Sequence, residues 1–374
     1  GTLYKMIENK SYKEIKKIIS EKSFKRIFIL TGKNSFYKSG AYKIFRNILS
    51  SKNHLFYFKK SYYPEIKELK RINMKINQFQ PDLLIAVGGG SVIDYAKIAN
   101  VLKFSENLES QIKNSNYKLI KKRFNLLVIP TTAGSGAEVT SNAVIYINKT
   151  KYSIENKSIL PDEFLLIPEL IVGASKKIKA SAGFDAIAQS IESLLSLKSN
   201  EKSVYYAKKS LQISFKNYIN FVNKPSLKNT FQMSLAANLS GKAINISKTT
   251  APHALSYPFT AFFNISHGHA VSLTLNDFLK FNYENIDYSI SSFNLKKRYK
   301  IIEKIAGVDS TYEFLQYLNN IKKKALLETN FKKLGINIKR EHNKILSGVN
   351  LLRLKNNPIQ IEKRDLYNIL LSKK

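Results

Sequence analysis

"DLLIAVGGGSVID" (residues 82–94) runs from an unbroken apolar segment straight into three glycines, a serine and the start of an amphipathic pattern. An apolar run of that length ending in glycine predicts a strand buried on both faces, and the residues behind it predict a helix. Gly88, Gly89, Gly90 and Ser91 then form the strand-to-helix turn. Glycine lets a backbone approach a phosphate closely, and the exposed N–H groups of a helix N-terminus favour an anion there. The stretch matches neither G-x-G-x-x-G nor the P-loop, so alone it leaves an ordinary tight turn open.

The surrounding chain repeats the same logic. "RIFILT" (26–31) predicts a first strand, followed by a turn at "GKNS" (32–35) and a helix around 37–50. "LFYFK" (55–59) predicts a second strand, with a helix from about Pro64 to Phe79. "FNLLVIPTTAGSGAEVTSNAV" (124–144) is again a strand opening into small residues and hydroxyls. Strands alternating with helices imply a parallel sheet covered on both faces, with ligands beyond the carboxyl ends of its strands. After about residue 170 the pattern turns helical, and a last helix is expected near Lys363 after a turn at Pro358. The expected division is a nucleotide-binding α/β domain over 1–170 and a helical domain over 171–374.

Composition narrows the class. At 374 residues, with 44% hydrophobic and 11% aromatic content, the chain is that of a folded protein. No apolar run approaches the roughly 18 residues of a membrane span. The opening "GTLYKMIENK" carries no secretory pattern, and cysteine is absent. The expectation is a cytoplasmic protein with no membrane partner. The net charge of +34 comes with lysines spread along the chain and no nucleic-acid motif. It is read as biased composition, with attraction of a small anion second and no nucleic-acid partner.

Two positions bear on the cofactor. The first strand ends in Gly32, Lys33, Asn34 and Ser35, where many NAD-binding proteins carry a carboxylate for the adenosine ribose. A cation in place of that anion favours the 2′-phosphate of NADP(H) over NAD(H). In the helical half, "GFDAIAQSIESLL" (183–195) sets Asp185, Gln189 and Glu192 on one polar stripe beside an apolar face. "APHALSYPFTAFFNISHGHAV" (251–271) then holds His253, His267 and His269, three of the five histidines. Carboxylate, amide and imidazoles suit a divalent metal, but spacing alone leaves structural histidines equally open.

"GGGSVIDYAK", "TTAGSGAEVT", "GFDAIAQSIES" and "HALSYPFTAFFNISHGHA" follow one another as in the iron-containing (group III) alcohol dehydrogenases, which the chain resembles from about residue 25 nearly to its end. That resemblance implies the dehydroquinate synthase-like fold, a Rossmann-like α/β domain followed by an all-helical metal-binding domain. It implies NAD(P)-linked interconversion of an alcohol and a carbonyl, with a divalent metal, Fe2+ before Zn2+. Carried over by position, the metal ligands fall on Asp185, Gln189, His253 and His267. Gln189 stands where the family has a histidine, and Tyr257 stands where it has a further histidine thought to help proton transfer. Tyr257 and His269 are therefore the candidate proton-transfer residues. The pyrophosphate is expected on Gly89, Gly90 and Ser91, with Gly88 and Asp94 also among the cofactor-binding residues, and Thr131, Thr132, Ser135 and Lys151 around the ribose and nicotinamide.

Within the family, "DAIAQSIES", "HALSYPFT" and "SHGHAV" look most like the phosphonoacetaldehyde reductase branch. The substrate implied is a small anionic aldehyde, phosphonoacetaldehyde, reduced to 2-hydroxyethylphosphonate, with Lys248 placed to receive the phosphonate. A general aldehyde or polyol dehydrogenase of the same family and a metal-free basic binding protein are the competing readings. A homodimer would be in keeping with the family.

Overall fold

The structure, a computed structural model, describes residues 3–6 and 11–373. The chain forms two compact units. One takes the chain up to Ala133, then Ala137–Ala174 and Ser226–Ser234; the other takes Gly134–Gly136, Ser175–Pro225 and Leu235–Lys374.

The first unit holds strands β1 (Leu3–Met6), β2 (Arg26–Gly32), β3 (Asn53–Lys59), β4 (Leu83–Gly88), β5 (Asn125–Pro130), β6 (Asn142–Ile147), β7 (Thr150–Glu155) and β8 (Glu163–Leu166). Six of them form one sheet in the order β1-β8-β5-β4-β2-β3, every pair parallel. Helices α1 (Ser11–Glu21), α2 (Lys33–Lys38) and α3 (Ala41–Ile48) supply Ile15, Phe36 and Phe45 to one face, with Ile29, Ile85 and Leu127 of the sheet. Helices α4 (Ile66–Phe79) and α5 (Gly90–Val101) supply Leu69, Ile72, Val92 and Ala96 to the other, with Phe28, Leu84 and Val128. Both faces are thus covered. That is why β2, β4 and β5 read as continuous apolar runs instead of alternating ones. A short α6 (Leu108–Lys113) completes the unit's labelled helices.

The chain leaves β2 toward one edge of the sheet and β4 toward the other, so the strand order reverses between them. The carboxyl ends of β2 and β4, at Gly32 and Gly88, flank this switch point, where open α/β sheets bind their ligands.

Three local expectations change. "GKNS" is not a free turn: Gly32 sits at the N-cap and α2 starts at Lys33. The helix expected around 37–50 is broken, because Gly40 adopts φ +84 between α2 and α3, a left-handed conformation that suits glycine. Strands also continue past β5. β6 and β7 pair antiparallel around Asn148 and Lys149, both at positive φ, the two-residue turn whose twist matches a hairpin. Lysine at the second turn position conceals a signal that glycine would have announced.

The second unit is helical: α7 (Lys176–Leu195), α8 (Glu201–Asn223), α9 (Leu227–Ser247), α10 (Ala251–Phe263), α11 (His267–Ser272), α12 (Leu275–Glu284), α13 (Leu295–Ala306), α14 (Thr311–Lys324), α15 (Ile338–Ser347), α16 (Leu351–Leu354) and α17 (Lys363–Leu371). Some of α9's first turns, through Ser234, belong to the first unit. The Ser175 hydroxyl caps α7 by accepting the Ile178 N–H. From Gly183 to Leu195 every residue of α7 is buried, so its polar stripe has to be satisfied inside protein. Serines meet much of that demand. Ser190 donates to Ser210, Ser193 pairs with Ser247, and Ser240 donates to Gln189. No helix among the described residues is long and apolar enough to cross a membrane.

Candidate metal centre and dinucleotide loops

The central helix α7 aims Asp185 at two imidazoles. Asp185 Oδ1 lies 3.0 Å from His253 Nε2 and 3.5 Å from His267 Nε2, and one ligand atom from each residue falls within 4.8 Å of the others. Asp185 and His253 are buried, while His267 is about one-third exposed at 36%. His253 comes from the first turn of α10, where Thr250 and the Pro252 that follows open the helix. His267 is the first residue of α11, which packs hard on α7: a Cβ at Gly268 would collide with the Ser181 carbonyl oxygen and lie 3.0 Å from Asp185 Cβ. Glycine at 268 is what lets His267 come this close. Ser266 and Ser181 clasp the same junction through their hydroxyls at 2.7 Å.

The electrostatics favour a cation. Burial alone would raise the Asp185 carboxyl, but His267 and His253 outweigh it and hold it below its ordinary range. Burial would lower His253, yet Glu192 and Asp185 prevail and push it up to about 9. An imidazole held between two buried carboxylates marks a place built for positive charge, and a carboxylate with two imidazoles is the donor set of divalent transition metals. The residues present fit such an ion.

The sequence had placed Glu192 on the polar stripe without a role. Its carboxylate accepts from His253 Nδ1 at 2.5 Å and from the backbone N–H groups of Thr250 and His253 at 3.1 and 3.2 Å. The signal was missed because the partners lie some sixty residues on in the chain. Gln189 is buried one turn after Asp185, and its Oε1 accepts from Ser240 at 2.9 Å. Tyr257, one turn after His253, stacks on His267 with ring centroids 5.8 Å apart, and burial raises its phenol so that it keeps its proton. His269 points its Nε2 at the Glu328 carbonyl at 2.7 Å, and burial lowers its imidazole. The Lys248 ammonium donates to the Asn245 carbonyl at 3.2 Å, from a residue at φ +60.

In the first unit, Gly89 is the N-cap of the twelve-residue helix α5, with Gly90 and Ser91 in its first turn. The Thr131 hydroxyl, just beyond β5, is buried and finds no hydrogen-bond partner among the described residues. A buried orphan hydroxyl beside a glycine-opened helix N-terminus is what a polar cofactor would satisfy, so a dinucleotide fits here. Gly88 C=O accepts from Thr131 N–H at 3.0 Å, which ties the two loops together. Lys33 and Asn34 are exposed at the end of β2, and Ser35 folds its hydroxyl onto the Gly32 carbonyl at 3.1 Å. Asp94 faces inward: its Oδ2 accepts the Val144 N–H at 3.1 Å, and burial pushes its carboxyl up to about 6. Buried Lys151 and Lys97 oppose that shift. Lys97 donates to the Ala137 and Asn142 carbonyls and to Thr140, holding the segment 137–140 and β6 against α5. Thr132 and Ser135 are half-buried in the same loop. Gly136, at φ +67, sits where a Cβ would lie 2.6 Å from the Ala237 carbonyl oxygen.

Comparison with known proteins places this chain. The pattern of the iron-containing alcohol dehydrogenases matches residues 5–168, and that of the C-terminal region of the Fe-containing alcohol dehydrogenase family matches residues 179–373. The chain belongs to the iron-containing alcohol dehydrogenase family. Among curated relatives, a 4-hydroxybutyrate dehydrogenase of Clostridium kluyveri is 29% identical over 229 residues, 59% of this chain and 60% of that protein. A phosphonoacetaldehyde reductase of Streptomyces viridochromogenes is 27% identical over 218 residues, 56% of this chain and 55% of that protein. The chain thus spans less than two thirds of the length of these relatives. Of solved structures, the sulfoacetaldehyde reductase of Bifidobacterium kashiwanohense, in complex with NAD+, superposes with a TM-score of 0.86 at 23% identity. That match covers 100% of this chain and 96% of that one. At such identity the likeness is one of fold.

Proposed function

We propose that this protein reduces a small anionic aldehyde to its alcohol with NADPH, and that phosphonoacetaldehyde, giving 2-hydroxyethylphosphonate, is the substrate. The observation that carries the reading is the convergence of Asp185, His253 and His267 in a chain of this family. The branch rests on the phosphonoacetaldehyde reductase among the relatives and on the resemblance of "DAIAQSIES", "HALSYPFT" and "SHGHAV" to that branch. When bound, a divalent ion polarises the aldehyde oxygen and the nicotinamide supplies the hydride.

The chain's own residues do the rest. Asp185 contributes the negative charge that makes a cation stable in a buried site, and His253 and His267 turn Nε2 toward it as the nitrogens that a metal would take, displacing their protons. Gln189 is read as a fourth, weaker ligand through its amide oxygen. Tyr257, protonated and lying against His267, is the donor for the alkoxide, in preference to His269, whose Nε2 is engaged by the Glu328 carbonyl. Gly88, Gly89, Gly90, Ser91, Thr131 and Thr132 line the dinucleotide. Ser135 and Lys151 are assigned to its ribose and nicotinamide, and Lys33 to a 2′-phosphate. Lys248 is assigned to the phosphonate. The setting is read as cytoplasmic and the assembly as a homodimer.

NADPH oxidation by the Fe2+-loaded protein tests this reading against a panel of phosphonoacetaldehyde, succinic semialdehyde and unbranched aliphatic aldehydes. Turnover of phosphonoacetaldehyde with kcat/KM at least about tenfold above the neutral aldehydes is expected, a gain that one anchored anion readily supplies. Turnover of aliphatic aldehydes with none of phosphonoacetaldehyde overturns the substrate. NADH serving better than NADPH overturns the role of Lys33.

A further inference from the structure

The Glu192 carboxylate divides its two oxygens between different tasks. Oε1 receives the Thr250 N–H at 3.1 Å, the Thr250 hydroxyl at 3.2 Å and the His253 N–H at 3.2 Å. These groups open α10, whose N-cap residue makes no side-chain cap of its own. A helix start leaves its first N–H groups without intrahelical partners, and an anion there is favoured by the helix dipole. Pro252 removes one such donor, and Glu192 takes the one at His253. A carboxylate from α7 therefore caps α10 from outside. Oε2 is left for His253 Nδ1 at 2.5 Å, on the far side of the ring from the Nε2 that faces Asp185.

We propose that Glu192 is a positioning residue for the metal centre: by capping α10 with one oxygen and holding the proton on His253 Nδ1 with the other, it keeps His253 Nε2, beside Asp185, as the nitrogen that gives its lone pair to the ion. The proposal rests on the reading of Asp185, His253 and His267 as a metal site. A ligand histidine whose other nitrogen donates to a carboxylate is fixed in both tautomer and orientation, and losing that partner costs about 10- to 100-fold in metal affinity.

The carboxamide of Glu192→Gln discriminates this role from mere packing. It keeps the shape but has one oxygen and one NH2 group. Two of the three groups at the start of α10 are backbone N–H groups that can only donate, so the amide oxygen is drawn to the cap and the NH2 turns to His253 Nδ1. Nδ1 must then accept, and the ring proton moves to Nε2, where it blocks coordination. Metal-free wild type and Glu192→Gln are expected to melt within a few degrees of each other. The variant's Co2+ affinity, read from the visible absorption band of the bound ion, is expected to fall by about tenfold or more. Equal Co2+ affinity in the two proteins overturns the proposal and leaves the metal-centre reading standing. A wild type that takes up neither Co2+ nor Zn2+ overturns both. If Glu192→Gln does not fold, long-range proton–nitrogen spectra of the histidine-labelled wild-type Zn2+ form decide. A proton on Nδ1 of His253 with zinc on Nε2 supports the proposal, and zinc on Nδ1 overturns it.

Discussion

Ser240 has one hydroxyl proton and two acceptors within reach, the Ala237 carbonyl and Gln189 Oε1, each at 2.9 Å. If that proton goes to Ala237, the serine oxygen is free to accept from the Gln189 NH2 group, and the amide turns its own oxygen away from α9. In that arrangement the Gln189 amide oxygen would be available to a metal. An amide oxygen remains a poorer partner than imidazole for Fe2+ or Zn2+. Gln189→His is therefore expected to tighten Zn2+ binding by about tenfold, measured by competition with a chromogenic chelator. Unchanged or weaker binding would show that position 189 only lines the site. At this scale the sequence was informative about residue types and silent about partners. The i, i+4 spacing put Asp185 and Gln189 on one stripe, but nothing local reveals that Glu192 and Ser240 decide how His253 and Gln189 are oriented. Hydrogen bonds between residues some fifty to sixty positions apart leave no periodic trace in the chain.

Among the elements, α11 shows how backbone approach sets the site. The helix is only six residues long and lies so close to α7 that position 268 has no room for a side chain. Gly268→Ala must push α11 off α7, because the obstacle is the Ser181 backbone and no rotamer relieves it. A loss of about 3 kcal/mol or more in stability is expected by denaturant titration, accompanied by loss of metal binding as His267 moves away from Asp185. Normal stability with intact metal binding would contradict the packing. The strands β2, β4 and β5 were legible because burial on both faces writes itself as an apolar run. The β6–β7 hairpin was not, since its turn residues, Asn148 and Lys149, carry no glycine. The break between α2 and α3 was missed for the opposite reason: a glycine was present, but a helical pattern continued on both sides of it.

Across the whole molecule, both groups of candidate residues stood out in the sequence, because glycine clusters and histidine clusters are rare in a chain rich in lysine and asparagine. The positive charge was less informative as a total than as placement. Lys97 and Lys322 are buried, and burial pushes Lys97 down to about 8 and Lys322 down to about 7. Lys322 donates to the Ser272 carbonyl and to Asn276, which fastens α14 beneath α11 and α12. Its folded value lies below the ordinary 10.5, so the unfolded chain binds this proton more tightly. The stability it contributes is complete above about 10.5 and is lost as the pH falls through about 7. Between these limits wild type should gain stability on Lys322→Met with rising pH, by at most about 1.4 kcal/mol per unit. Urea titrations of both proteins at pH 7 and 9 check this, and a pH-independent difference would contradict it.

The central claim is that Asp185 and two histidines hold a divalent ion, and metal content tests it most directly. Protein reconstituted with Fe2+ or Zn2+ and then desalted should retain a single ion per chain by elemental analysis, and His253→Ala and His267→Ala should each retain none. Metal that survives both substitutions, or a wild type that binds none, would contradict the account.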